Sequence, residues 1–112
     1  MSMKKLEFAS SVAEKDFKNL PRDIGLRFSL DLEALLQGLK PFSKIQPLTS
    51  IGQGVIELKI NGRPAYRCIY VAKFNDCITI LHTFKKTTNG VDRPAMKVAE
   101  QRYKDVKLRQ LP

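Results

Sequence analysis

Four residues in the second half of the chain have side chains suited to phosphate chemistry: Lys59, Arg67, His82 and Lys86. An arginine fork can hold a phosphate through two parallel hydrogen bonds, and lysines can neutralise charge as it builds up in a reaction. Histidine is the side chain whose unperturbed pKa lies closest to neutrality, so His82 can donate or accept a proton. These residue types predict acid–base chemistry at a phosphate, provided that the fold brings them together.

Three stretches with a two-residue period carry these side chains, at Val55–Ile60, Ala65–Phe74 and Cys77–Lys86. Turn signals separate them at Asn61-Gly62 and at Asn75-Asp76. The three stretches are therefore expected to form an antiparallel meander.

The second turn decides which side chains of the last two strands meet. If Asn75-Asp76 is a two-residue turn, Arg67 lies opposite Phe84 and Ile69 lies opposite His82. Because side chains alternate between the faces of a strand, one face gathers Arg67, His82, Phe84 and Lys86. The other face carries Tyr66, Cys68, Tyr70 and Leu81, which suits packing on helices.

The first turn allows two registers. A two-residue turn at Asn61-Gly62 would place Ile56 opposite Arg67 and send Glu57 and Lys59 to the apolar face. A three-residue loop that includes Arg63 would place Glu57 opposite Arg67, with Lys59 on the same side. The second register is favoured because the first would bury two charged side chains.

The remaining elements follow from period and capping. A short strand is expected within Lys4–Ala9, a helix at Val12–Asn19 with Ser10 or Ser11 as its cap, and a loop at Lys40–Gln53. A second helix begins near Pro21 and carries an apolar stripe of Ile24, Phe28, Leu32, Leu35, Leu36 and Leu39. The last helix runs from Arg93 to about Val106, with Asp92 as its cap.

This order predicts an α+β fold, β-α-α-β-β-β-α, in which a small antiparallel sheet packs on an N-terminal helical hairpin and a C-terminal helix. A length of 112 residues suits a single domain over residues 1–112. Within it we expect the first strand and helical hairpin at 4–39, the sheet at 54–86 and the last helix at 93–106.

The charge balance indicates an anionic partner. The chain has 20 Lys and Arg residues against 11 Asp and Glu, a formal net charge of +9. No apolar run approaches the roughly 18 residues needed to cross a bilayer, and no export signal is evident, so a cytoplasmic protein without membrane contact is expected. A single His and the absence of clustered carboxylates make a metal site improbable, and no cofactor is expected.

RNA suits this set of residues because its 2′-hydroxyl is a built-in nucleophile. An enzyme has to orient that hydroxyl, take its proton, stabilise the phosphorane and protonate the leaving oxygen. Glu57 is a rival to His82 as the base, and Phe84 can stack on an unpaired nucleobase. Arg63 and Lys85 add cations that are expected to contact the RNA.

Three blocks of sequence also resemble a known superfamily. They are Pro21 through Gly38 to Pro47-Leu48, then Gly54–Ile60 with Ala65–Tyr70, and finally Ile80–Thr87 with Ala99 and Arg102. This pattern resembles the phage-derived branch of the RelE/ParE toxins, close to HigB-type toxins, over about residues 6–105. Lys59 stands where that branch more usually has an arginine.

The resemblance implies a ribosome-dependent endoribonuclease that cleaves mRNA in the 70S A site and is neutralised by an antitoxin, expected to be of the helix-turn-helix type. It places Lys59 and Arg67 at positions of catalytic basic residues and Lys86 at that of a second phosphate-binding cation. His82 lies near a histidine used by some HigB-like members. Two alternatives remain: a gyrase-binding toxin of the ParE kind, and a phage-derived nucleic-acid-binding module without toxicity.

Overall fold

Five strands and three helices make up the part of the chain described by the computed structural model, residues 4–74 and 76–110. Their bounds are β1 Lys5–Phe8, α1 Ser11–Lys18, α2 Arg22–Leu36, β2 Lys44–Pro47, β3 Val55–Ile60, β4 Ala65–Val71, β5 Cys77–Lys86 and α3 Arg93–Arg109. The predicted α+β class is confirmed.

Three predicted boundaries were wrong. The stretch expected to be a loop at Lys40–Gln53 contains strand β2, which adds one strand to the predicted order. Strand β4 ends at Val71 instead of Phe74, and helix α3 continues to Arg109 instead of ending near Val106. Asn75, the first residue of the predicted second turn, lies outside the described residues.

The helices begin where the sequence offers caps. The Ser10 hydroxyl accepts a hydrogen bond from the amide of Ala13 at 3.1 Å, and an Asp92 carboxylate oxygen accepts one from the amide of Ala95 at 3.1 Å. Each bond satisfies an amide that the first turn of a helix would otherwise leave unpaired. Helix α2 starts after Pro21 without a side-chain cap. Among the described residues, no helix is both long and apolar enough to span a bilayer.

The strands form one sheet in the order β1-β5-β4-β3-β2. Strand β1 pairs with β5 in parallel, and the other three pairs are antiparallel. The predicted meander of β3, β4 and β5 therefore forms the centre of the sheet, and the unpredicted strand β2 lies at its edge.

The register between β3 and β4 differs from the prediction by two residues. Lys59, not Glu57, is the direct partner of Arg67, and Glu57 pairs with Ile69. The difference arises because five residues, 61–65, lie between the paired Ile60 and Tyr66, where the prediction had three. A shift of two residues preserves the alternation of faces, so Glu57, Lys59 and Arg67 still share one face.

The register between β4 and β5 is as predicted near the site and changes further along. Arg67 faces Phe84 and Ile69 faces His82, but Tyr70 faces Ile80. Leu81 is the extra residue of this β-bulge, and a bulge reverses the alternation beyond it. Leu81 therefore packs with Ile69 on the site face; the prediction that it joins Tyr66 and Cys68 was wrong.

Both faces of the sheet are covered by helices. Helix α2 packs Ile24, Phe28 and Leu32 against the face that carries Leu58 and Cys68. The predicted stripe ends early, since Leu39 lies beyond the helix and is 60% exposed. On the other face, Ala13 of α1 and Ala99, Tyr103 and Val106 of α3 pack against Val55, Ile69, Val71 and Leu81.

Candidate active site

A row of side chains crosses four strands on the face that α3 partly covers. Lys44 pairs with Lys59, Lys59 pairs with Arg67, and Arg67 pairs with Phe84. Because neighbouring strands lie roughly 4.8 Å apart, three cations and an aromatic ring stand in line within about 15 Å. A row of positive charges with this spacing is suited to binding an anionic ligand that lies across the strands.

A cavity of about 430 Å³, the first cavity, opens on this row. Five of the sequence-predicted site residues line it: Glu57, Lys59, Arg67, Phe84 and Lys86. The rest of its described wall is Gln46, Pro47, Leu48 and Ser50 from β2 and the segment that follows it, and Gly90, Val91, Asp92 and Met96 from the start of α3 and the segment before it. The meander therefore supplies the charged floor, and two segments on either side supply the walls.

Arg67 is held rigidly at the centre of this floor. Only 6% of the residue is exposed, and its Nη1 donates to the carbonyl oxygens of Tyr66 at 3.0 Å and Ile60 at 3.4 Å. Its Nε lies 3.9 Å from a carboxylate oxygen of Glu57. A guanidinium that is already held by these contacts loses little side-chain entropy when it binds an anion.

Glu57 is a buried carboxyl group surrounded by cations. Burial raises its pKa above the ordinary value, and the nearby charges of Arg67, Lys59 and Lys86 partly oppose that rise. Burial disfavours the charged form, whereas a positive neighbour favours it. A carboxylate with a raised pKa is a stronger base than an exposed one, and this one lines the cavity.

His82 shares the site face with Arg67 but is absent from the described lining of the first cavity. Its Nδ1 lies 3.2 Å from Nη1 of Arg102, and its ring stacks on Phe84 with centroids 4.8 Å apart. Burial, and then the charge of Arg102, lower the pKa of His82 to about 4, although Asp16 and Asp92 act in the opposite direction. The imidazole thus contacts Phe84 and is not part of the described wall of the first cavity.

The two remaining predicted contact residues lie apart from the first cavity. Lys85 pairs with Tyr66 on the opposite face of the sheet and lines a different cavity with Thr83. Consecutive strand residues point to opposite faces, so Lys85 lies on the other side of the sheet from Lys86, and its contact with RNA stays a prediction. Arg63 lies in the β3–β4 connection and lines a second cavity, which also includes Arg67 and Lys86.

Several residues at this site were not found from the sequence. Gln46 and Lys44 reach the site face through strand β2, whose only signal is the short alternation of Lys44, Ile45 and Gln46. Arg102 of α3 was noted in the sequence only as part of the family pattern, and its contact with β5, where it donates to the carbonyl oxygen of Leu81 at 2.9 Å, was not predicted. Nothing in the sequence near residue 102 indicates a contact with a strand twenty residues earlier.

The fold and the site define the class of protein: an α+β protein with a basic cavity on its sheet. A comparison with family models identifies the family. Residues 15–104 match the model of the family described as phage derived protein Gp49-like (DUF891). The chain belongs to this Gp49-like family, which is related to the RelE-like toxins. A search of curated proteins found no match to the chain.

Proposed function

We propose that this protein is the toxin of a toxin–antitoxin pair and that it inhibits translation by cleaving mRNA on the ribosome. The observation that carries the proposal is the direct pairing of Lys59 with Arg67 on the floor of the first cavity. Lys86 and Glu57 lie on the same floor. Membership of a family related to RelE-like toxins supports the same conclusion.

The proposed reaction is a transesterification within the RNA. The 2′-oxygen attacks the neighbouring phosphorus, the bond to the 5′-oxygen breaks, and the products are a 2′,3′-cyclic phosphate and a free 5′-hydroxyl. Arg67 binds the non-bridging oxygens, and Lys59 neutralises the charge that develops on the phosphorane. Lys86 supplies the proton to the leaving 5′-oxygen, and Phe84 stacks on a nucleobase next to the cleaved bond.

Glu57 is the proposed general base. It lines the cavity, and its pKa is raised by burial while three cations favour its ionised form. His82 is less suited to the role, because its Nδ1 already accepts from Arg102 and its ring is not part of the described cavity wall. We assign to His82 the positioning of Phe84.

The ribosome and an antitoxin are the proposed partners. The net charge of +9 favours binding to rRNA and mRNA. A site with one base and three cations would cleave faster on a ribosome that orients the 2′-hydroxyl. The RelE-like relationship supports mRNA in the 70S A site as the substrate, a HigB-type mode of action, and a helix-turn-helix antitoxin as the inhibitor.

Induction in a bacterial host tests the proposal. We expect protein synthesis to stop before DNA damage appears, and primer extension to reveal new 5′ ends within translated mRNA. Lys59→Gln and Lys86→Gln should each lower cleavage by about 10²-fold, the usual loss when one group that stabilises transition-state charge is removed. Lys97→Gln, an exposed cation on α3, is the matched control and should cleave normally.

Two results would contradict the proposal. A DNA-damage response that precedes the arrest of translation would favour a gyrase-binding toxin. Harmless high-level expression without a partner would favour a nucleic-acid-binding protein that is not a toxin.

A further inference from the structure

The second cavity adjoins the first and shares two residues with it. It has a volume of about 360 Å³ and is lined by Arg67, Lys86, and the two connections at Gly62–Ala65 and Thr87–Asn89. Because Arg67 and Lys86 line both cavities, an anion held between them has one open space on either side. A strand bound in the first cavity therefore meets the second cavity where these two side chains lie.

The charges of the two cavities differ. The described wall of the first includes the carboxyl groups of Glu57 and Asp92, whereas the described wall of the second contains no acidic side chain. It offers three cations, Arg67, Lys86 and Arg63, and the side-chain donors of Thr87, Thr88 and Asn89. This composition suits an anion that is bound without being altered.

Arg63 is the cation that belongs to the second cavity and is absent from the described wall of the first. It is exposed, and no ion pair among the described residues involves it. The connection that presents it depends on Gly62, whose φ is +154° and whose missing Cβ would lie 3.4 Å from the carbonyl oxygen of Pro64. The loop thus places Arg63 in the wall of the cavity that Arg67 and Lys86 also line.

We infer that the second cavity binds the phosphate of the nucleotide next to the cleaved bond, in the same single strand. The inference rests on the proposed function, since it takes the scissile phosphate to lie at Arg67 and Lys86. Arg63 and the Thr88 hydroxyl are the groups that contact the neighbouring phosphate. Binding there draws the strand taut across the shared cations, which aligns the 2′-oxygen with the bond to be broken.

Short oligonucleotides with a 2′-deoxy sugar at every position allow this site to be measured without cleavage. The probes are a labelled trinucleotide with two phosphates and two analogues in which one or the other linkage is a neutral methylphosphonate. The proteins are the full chain, Arg63→Gln, Thr88→Val, Lys59→Gln and Arg27→Gln. Arg27 is exposed on α2, which packs on the opposite face, and it serves as the matched control.

We expect one of the two methylphosphonate linkages to weaken binding to the unmodified chain by about tenfold, as loss of a hydrogen-bonded charge pair does. Arg63→Gln should bind the unmodified probe more weakly, and the same methylphosphonate linkage should then have almost no further effect on its affinity. Thr88→Val should lose part of the affinity that Arg63→Gln loses. The slope of log affinity against log salt should fall by about 0.7 in Arg63→Gln, which corresponds to one single-strand phosphate contact. Arg27→Gln should behave as the unmodified chain.

The subsite is overturned if Arg63→Gln responds to both neutral linkages as the unmodified chain does. Lys59→Gln then shows whether the first cavity still binds a phosphate, so the proposed function can survive that result. If neither cavity responds to any neutral linkage, both ideas are wrong. If the coupling to Arg63 holds and induction cleaves no mRNA, the second cavity binds a phosphate of the strand, but the ribonuclease activity and the place of that phosphate beside a cleaved bond are refuted.

Discussion

A guanidinium N–H of Arg102 on α3 donates a hydrogen bond to Nδ1 of His82 on β5 at 3.2 Å. An arginine has only donors, so His82 is the acceptor and carries its proton on Nε2. The same imidazole stacks on Phe84, whose ring forms part of the first cavity. A neutral histidine thus links the last helix to the base-stacking surface of the site.

The stability of the protein should therefore fall as the pH drops from about 6.5 to about 4. The pKa of His82 is lowered to about 4 in the folded state, so the unfolded chain takes up a proton first, and folding loses stability across that interval. A shift from 6.5 to about 4 corresponds to at most about 3 kcal/mol. Urea unfolding at a series of pH values measures it.

His82→Asn is the variant that isolates this contribution. The amide oxygen of asparagine can still accept from Arg102, but the side chain does not titrate. Subtracting the two profiles removes the other groups, including Glu57, whose raised pKa acts with the opposite sign. We expect the difference to change between pH 6.5 and 4 and to be flat above pH 7. A difference that is flat throughout would mean that the pKa of His82 is the same in the folded and unfolded states.

The planar fork of Arg67 should be required for activity in addition to its charge. Arg67→Lys keeps the charge but loses the paired donors, so cleavage of ribosome-bound mRNA should fall by about 10²-fold or more. It should also lower the free energy of unfolding by about 1–3 kcal/mol, because the carbonyl oxygens of Ile60 and Tyr66 lose a buried donor.

Lys59→Arg is the matched exchange in the opposite direction. Lys59 is only partly buried, and the larger side chain keeps the charge at the same point of the row. We expect cleavage to stay within about tenfold of the unmodified chain. Equal rates for Arg67→Lys and the unmodified chain would show that any cation serves and that bidentate binding is not needed.

The face shared by Lys59, Arg67 and Phe84 could be predicted because it depends on local signals. Alternation and turn residues determine which strand residues point together, and a register error of two leaves that result unchanged. The position of Leu81 could not be predicted, since the bulge beside it has no signature of its own.

The surroundings of His82 and the presence of strand β2 could not be predicted from the sequence, for two different reasons. His82 is buried by Arg102 and Asp16, which come from two helices that are distant in the chain, and no local pattern records such packing. Strand β2 is four residues long and ends in Pro47, so its alternation is too short to separate it from a loop.

Gly52 should be needed for full stability because a side chain at this position would meet the ring of Tyr103. A Cβ at this position would overlap the ring of Tyr103, a buried residue of α3. Gly52 follows the segment of Leu48 and Ser50 that walls the first cavity, so the contact also locates that wall. We expect Gly52→Ala to lower the free energy of unfolding by about 1–3 kcal/mol, as measured by chemical denaturation.

Gly25→Ala is the control, and its effect should have the opposite sign. Gly25 lies within α2, and an added Cβ would meet only an ordinary contact 3.9 Å from Leu20. Alanine in a helix interior is favoured over glycine, so this variant should gain roughly 0.5–1 kcal/mol. If both glycine variants changed stability by the same amount, the close approach of Tyr103 would not be what constrains residue 52.

Asp31 should determine the path of the chain into β2. It is fully buried on α2, and its Oδ1 accepts from the amides of Phe42 at 2.7 Å and Ser43 at 3.0 Å. Asp31→Ala removes both bonds, so the unfolding free energy should fall by about 2 kcal/mol. Hydrogen exchange at the amides of residues 42 and 43 should accelerate, because they lose their acceptor.

Two further variants test whether the hydrogen bonds of Asp31 are the cause. Asp31→Asn removes the negative charge and keeps an acceptor, and Glu33→Ala is a control for substitution on α2. Asparagine keeps the accepting oxygen and replaces Oδ2, which has no hydrogen-bond partner among the described residues. It should therefore retain most of the protection at Phe42 and Ser43 and lose less stability than alanine does. Glu33→Ala, exposed on the same helix, should change stability by less than about 0.5 kcal/mol. Unchanged exchange at residues 42 and 43 in Asp31→Ala would show that β2 is held by its pairing with β3 alone.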